Sequence, residues 1–308
     1  MQGIIYKSTG SWYLVRDAQG TFRNARIKGK LKIDDAISST NPIAVGDIVV
    51  FDEEPGEENN LVIKQIEDRT NYIVRVSPHN KNQKHIVAAN LDLALVVATI
   101  AAPRTSQGFI DRFLLTAEAY HIPAIIVINK TDVLKKKHQH QLEAWTEMYT
   151  KAGYEVYAVT ALQHASVAPL EERLKGKTTL FSGHSGVGKS TLINQLIPDI
   201  NLRTTEVSEW SGKGQHTTTF AEMFDLPFGG RIIDTPGVKE FGLIDIEKEE
   251  LSHYFPEMRS ILNECKFNNC LHFNEPDCAV KNAVEREEIS QDRYVSYLTI
   301  MASIEEKW

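Results

Sequence analysis

Apolar residues in the first 68 positions fall into short runs broken by turns: GIIY at 3–6, SWYLVR at 11–16, TFRNARI at 21–27, AVGDIVVF at 44–51 and LVIKQI at 61–66. These runs are rich in β-formers, and five strands in so short a stretch predict a small barrel of OB-fold type over 1–68. Such a barrel is a common platform for RNA and single strands, although the same runs fit a β-module without a ligand. From residue 91 the pattern changes. Buried-type runs LDLALVVATI, PAIIVIN, YEVYAVT, TTLFSG and GRIIDT alternate with helical stretches at 109–121, 138–152 and 189–197. Apolar strands separated by helices predict an α/β domain over 91–240, with a parallel sheet covered on both faces. The intervening 69–90 segment contains the polar run PHNKNQKH and reads as a basic linker loop. The last part, 241–308, reads as a helical module.

The chain has 308 residues, 42% hydrophobic and 24% charged, which suits a folded protein of about two domains or more. Its net charge of −7 gives no overall basic signal for nucleic acid. The distribution changes that picture. Residues 1–50 carry seven basic side chains (Lys7, Arg16, Arg23, Arg26, Lys28, Lys30, Lys32) against four Asp, and 69–91 carries Arg69, Arg75, Lys81 and Lys84 with no acid. The acidity lies in the 52–58 loop and from Glu240 onward, where 15 acidic residues face 7 basic ones. Net charge therefore leaves an RNA partner open. The N-terminus shows no secretory pattern and no run approaches a membrane span, so a cytoplasmic protein without a membrane partner is expected.

Gly183-His184-Ser185-Gly186-Val187-Gly188-Lys189-Ser190 fits GxxxxGK[ST] between an apolar strand and a helix-like segment opening at Thr191. Backbone N–H groups of such a loop converge on phosphate oxygens, Lys189 reaches the β- and γ-phosphates, and the Ser190 hydroxyl suits Mg²⁺. Asp234-Thr-Pro-Gly237 follows the strand RIID; Asp234 would serve the magnesium shell and the Gly237 N–H would sense the γ-phosphate. Asn129-Lys130-Thr131-Asp132 ends the strand AIIVI and selects the base. The Asp132 carboxylate can accept from guanine N1–H and N2–H₂, a pattern adenine does not offer, while Asn129 and Lys130 buttress the loop and cover the ring. Thr160-Ala161 would complete the base pocket through a backbone N–H. Together these elements predict GTP, with magnesium, as the ligand.

Their order is unusual. GTPases ordinarily run from the phosphate loop through DxxG to NKxD, whereas here Asn129 precedes Gly183 by 54 residues. The domain therefore reads as a circularly permuted P-loop GTPase, in which the DTPG turn leads directly into the C-terminal module.

All three cysteines lie in that module, as Cys265-x₄-Cys270-x-His272-x₅-Cys278. Three thiolates and one imidazole make a closed tetrahedral zinc shell with no vacancy for catalytic water, so one structural Zn²⁺ is expected. The alternative is three reduced cysteines beside an incidental histidine.

Over essentially the whole chain these features resemble the RsgA (YjeQ/YloQ) family of circularly permuted GTPases of small-ribosomal-subunit assembly. The resemblance rests on the barrel, NKTD at 129–132, the phosphate loop at 183–190, GKGQHTTT at 212–219, DTPG at 234–237 and the Cys-Cys-His-Cys module. It implies an OB-fold barrel that binds 16S rRNA, a zinc ion, and a monomer hydrolysing GTP to GDP and phosphate, stimulated by the small (30S) subunit and released from it late in maturation. Ras-like enzymes place a water-orienting Gln after DxxG, but Val238 stands there and cannot hydrogen-bond water. The resemblance points instead to His216 as the catalytic, water-positioning residue, or leaves it simply part of a loop. Thr217 or Thr218 would contact Mg²⁺ or the γ-phosphate, with Thr218 taken as the magnesium ligand. Gln215 stands where family members often carry a basic residue. A nucleotide-dependent regulator docking a protein partner through barrel and zinc module is the competing reading. A P-loop kinase or ATPase is disfavoured by NKTD.

Overall fold

A computed structural model of the chain describes residues 1–28, 42–54, 60–76, 84–198, 200, 221–235 and 246–304. Five strands, β1 (Gln2–Ser8), β2 (Tyr13–Asp17), β3 (Phe22–Ile27), β4 (Ile48–Glu53) and β5 (Asn60–Ile66), pair in the order β1-β2-β3-β5-β4. Pairing of β4 back onto β1 closes them into a barrel, and β3–β5 is its parallel contact. Alternate residues point inward, so Ile5, Tyr13, Val15, Ala25, Val49, Phe51, Leu61 and Ile63 fill the lumen. This is the OB-fold arrangement.

The segment expected as a loop at 69–90 instead contains a hairpin, β6 (Tyr72–Val76) with β7 (Lys84–Ala89). Its apolar residues Ile73, Val74, Ala88 and Ala89 are buried, and the Ala89 N–H donates to Val45 O at 2.9 Å, which docks the hairpin on the barrel. The polar run between the two strands hides their short apolar pattern in the sequence. Arg69 is also fixed: Nε and Nη2 each donate to one oxygen of the fully buried Asp47 carboxylate at 2.7 Å.

The α/β part follows as β8 (Leu93–Ala98), α1 (Gln107–Ala119), β9 (Ala124–Ile128), α2 (Lys136–Lys151), β10 (Glu155–Ala158), α3 (His164–Leu174), β11 (Thr178–Gly183), α4 (Lys189–Leu196), β12 (Glu222–Asp225) and β13 (Arg231–Asp234). Strand order is β10-β9-β8-β11-β13-β12, parallel except for β12. β8 is buried at every position, as a strand covered on both faces must be. The antiparallel β12 pairs in turn with β1, so barrel and α/β sheet are one continuous eleven-stranded surface.

The C-terminal module consists of short turns, α5 (Pro256–Arg259), α6 (Ala279–Glu285) and α7 (Gln291–Ser303). Its core of Leu251, Phe255, Met258, Val280, Tyr297 and Ile300 takes in Leu115 of α1. No helix among the described residues is long and apolar enough to cross a membrane.

Candidate nucleotide-binding site and metal centre

β11 delivers the chain into the phosphate loop at Gly183, and α4 begins at Lys189. Two of the loop's glycines are required by space. A Cβ on Gly183 would meet Val97 O at 2.6 Å, and one on Gly188, whose φ is +89°, would meet Asn129 Nδ2 at 2.4 Å. His184 lies over the Phe109 ring of α1, with centroids 3.7 Å apart. Ser185 and Gly186 are exposed, Val187 is buried, and Ser190 and Thr191 occupy the first turn of α4. Lys189 Nζ forms an ion pair with Asp234 Oδ1 and lies 3.3 Å from Thr235 O. Thr235 Oγ1 donates to Phe181 O at 3.0 Å, which holds the end of β13 beside β11. The lysine and aspartate expected to serve phosphate and magnesium thus sit together at adjacent strand ends.

Asn129 is buried where β9 ends and acts as a clasp. Its Nδ2 donates to Val187 O at 2.9 Å in the phosphate loop, and its Oδ1 accepts from the Ala161 N–H at 3.0 Å. Lys130, with φ +62°, sends Nζ to Gly186 O at 2.7 Å and to Ala102 O at 2.9 Å. The Thr131 and Thr160 hydroxyls lie 2.9 Å apart. Asp132 is exposed and has no hydrogen bond or ion pair among the described residues, so its carboxylate is open to a ligand. The structure corrects one expectation. The Ala161 N–H is occupied by Asn129 and the Thr160 N–H by Ser166 Oγ at 2.9 Å, so both shape the pocket instead of offering a donor to it. The next residue, Leu162, is 77% exposed. Sequence reading missed Ser166 and Phe109; only a hydroxyl two residues into α3 and an aromatic in the first turn of α1 hinted at them. Gln215, His216, Thr217, Thr218, Gly237 and Val238 lie outside the described residues.

In the C-terminal module the ligand atoms of Cys265, Cys270, His272 and Cys278 all lie within 4.8 Å of one another. His272 Nδ1 is 3.3 Å from Cys278 Sγ and 3.6 Å from Cys265 Sγ. The loop is held from outside: Tyr294 OH donates to His272 O at 2.6 Å and Tyr297 OH to Leu271 O at 2.8 Å. Glu275 accepts from the Leu271 and Phe273 N–H groups at 2.9 and 2.8 Å. Burial pushes the Cys270 thiol up to about 12 and raises that of Cys278, while it lowers the His272 value. The crowded Cys270 and Cys278 sulfurs resist ionisation and need a cation to become thiolates. Tetrahedral zinc at Zn–S of about 2.3 Å would separate its ligands by roughly 3.8 Å, so this S₃N set fits such an ion.

The barrel's basic side chains are largely neutralised. Lys7 pairs with Glu222, Arg16 with Asp225, Arg23 with Asp17 and Glu53, Arg26 with Glu54, and Lys28 reaches Glu54 at 3.9 Å. Arg26 stacks over the exposed Trp12 ring and Arg16 over Phe22, at 5.7 and 5.6 Å, giving an aromatic and cationic outer surface. Lys30 and Lys32 lie outside the described residues.

Comparison with known proteins agrees with this geometry. A family model described as RsgA GTPase matches residues 66–244, and one described as RsgA N-terminal domain matches 2–60. A protein of Flavobacterium psychrophilum named small ribosomal subunit biogenesis GTPase RsgA is 50% identical over 100% of this chain and 94% of its own length. Its namesake from Christiangramia forsetii is 49% identical over 100% and 98%. Among solved structures, YjeQ from Thermotoga maritima superposes with a TM-score of 0.77 at 32% identity, covering 98% of this chain and 97% of its own. YloQ, a circularly permuted GTPase, gives 0.74 at 32% identity, with coverage of 100% and 96%. With its barrel, its permuted nucleotide site and its Cys₃His cluster in place, the chain belongs to the RsgA family of circularly permuted GTPases.

Proposed function

We propose that this protein is a cytoplasmic GTPase that binds the small ribosomal subunit and its 16S rRNA late in maturation and hydrolyses GTP with release from the subunit. The observation that carries the reading is the Asn129 clasp, which brings the guanine-selecting loop against the phosphate loop despite their reversed chain order. Asp132 accepts from the guanine edge, and Lys130, pinned at its tip to two carbonyls, lays its stem beside the base. The glycine-bearing loop 183–188 presents N–H groups to the phosphates, with Lys189 and the first turn of α4 adding positive charge. Ser190, Asp234 and Thr218 would hold magnesium, which when bound neutralises charge building on the phosphate oxygens. The hydroxyl and carboxylate oxygens of Ser190 and Asp234 are the hard donors that ion prefers, and Asp234 already faces a cation in Lys189. His216 would orient the attacking water. Zinc at Cys265, Cys270, His272 and Cys278 would staple the C-terminal module without taking part in chemistry.

The neutralised cations of the barrel favour a second reading, in which the barrel and metal module dock a protein partner. Salt separates the two. Sedimentation of the GTP-analogue form with isolated small subunits should weaken steeply as salt rises if phosphates dominate the contact. Salt-insensitive binding would favour the protein partner, and no binding would overturn both.

A further inference from the structure

Glu222 is the first residue of β12, the strand that joins the barrel to the nucleotide-binding sheet. The register sets it directly opposite Asp234 on β13 and, on its other edge, opposite Lys7 of β1. Directly opposed residues of antiparallel strands project from the same face, with Cβ atoms about 5 Å apart. Two carboxylates therefore stand side by side, each with its own lysine: Lys7 Nζ lies 2.9 Å from Glu222 Oε2, and Lys189 Nζ pairs with Asp234. Read across three strands to the first turn of α4, the charges run plus, minus, minus, plus. The barrel grips the far end of the same strand as well. Tyr6 OH donates to Asp225 Oδ1 at 2.7 Å, Arg16 Nη1 donates to Asp225 Oδ2 at 2.8 Å, and Arg231 Nε donates to Tyr6 OH at 3.1 Å.

We propose that Glu222 and Lys7 are positioning residues for the nucleotide site, acting through Asp234, and that this charge row is how the barrel reaches the bound nucleotide. The proposal rests on the reading above in which Asp234 serves magnesium. A carboxylate beside Asp234 deepens the negative potential there and favours a dication. Lys7 offsets it. When Lys189 turns from Asp234 to a phosphate group, Glu222 is the nearest cross-strand charge to the aspartate it leaves, and Lys7 is the group that balances it. Any ligand that draws Lys7 away would then be felt at the magnesium site.

The two residues have opposite signs, so they make opposite predictions. Binding of a fluorescent GTP analogue is titrated with Mg²⁺ in wild type, Glu222→Gln, Lys7→Gln and the double variant. Glu222→Gln should raise the half-saturating Mg²⁺ about threefold and Lys7→Gln should lower it about threefold, as partly screened single charges would. The double variant, which restores pair neutrality, should return to about the wild-type value. A loss of strand pairing would move both single variants the same way. That result, or no shift in either, would overturn the coupling. A wild-type protein whose nucleotide binding ignores Mg²⁺ would instead remove the magnesium role of Asp234, and the proposal with it.

Discussion

Arg293 Nη1 donates to Asp111 Oδ1 at 2.6 Å across the junction of α7 and α1, and neither side chain reaches solvent. Glu257 takes Nε at 2.7 Å, Tyr149 OH donates to the same Asp111 oxygen at 3.0 Å, and the guanidinium lies 4.6 Å above the Phe255 ring. Burial opposes the guanidinium charge, but Asp111 and Glu257 outweigh it and hold its pKa above the ordinary value. This network joins the metal-bearing module to the helix whose Phe109 underlies His184 of the phosphate loop. Removing one member strands buried charge, so Arg293→Met should destabilise the protein by about 3–5 kcal/mol. Urea unfolding checks it; a loss under about 1 kcal/mol would mean that the network relaxes to water.

The Asn129 clasp predicts a different signature. Asn129→Ala leaves the Val187 carbonyl and the Ala161 N–H unpaired, a cost of about 1–3 kcal/mol felt at the pocket itself. GTP and GDP affinity should therefore fall together, by roughly 10- to 100-fold, with guanine preference retained. Asp132→Asn should do the reverse, eroding guanine preference with phosphate contacts intact. Competition binding with GDP, XDP and ADP distinguishes the two outcomes.

For the metal centre, the sign of the pH effect depends on metal content. In the metal-free chain burial raises the Cys270 thiol from its ordinary 9.0 to about 12. The folded chain then holds that proton longer than the unfolded one. Its stabilising contribution is present below pH 9 and is lost as pH rises towards 12. In the metal-loaded chain the sulfurs are already thiolates, so this alkaline loss should vanish and acid should instead release the metal. Thermal unfolding with and without a chelator, above pH 9 and in acid, checks both limbs. Near-stoichiometric zinc in the purified protein is the accompanying expectation.

Much of the site was legible because its chemistry demands local spacing. The phosphate loop, NKTD, Asp234 and the Cys-Cys-His-Cys set each declare themselves within a few residues, and the structure brings them into two clusters. What escaped the sequence was competition between distant partners. Nothing local says that the Ala161 N–H is claimed by an asparagine 32 residues earlier, or that Asp111 and Arg293 meet across 182 residues. Charge counting failed for the same reason: Arg69 reads as free linker charge, yet Asp47 holds its Nε and Nη2. The hairpin of β6 and β7 was missed because its strands are short and flank a polar run.

His216→Ala should lower subunit-stimulated turnover by about 10²-fold while GTP affinity changes little, since the role assigned to it belongs to the transition state. Equal turnover in the variant would return water positioning to another group.

Steady-state GTP turnover, measured with and without isolated small ribosomal subunits, decides whether the subunit is where this GTPase acts. The expected result is slow hydrolysis by the protein alone, a marked rise in kcat when subunits are added, and GDP-bound protein recovered free of them. Turnover unchanged by saturating subunits would contradict it.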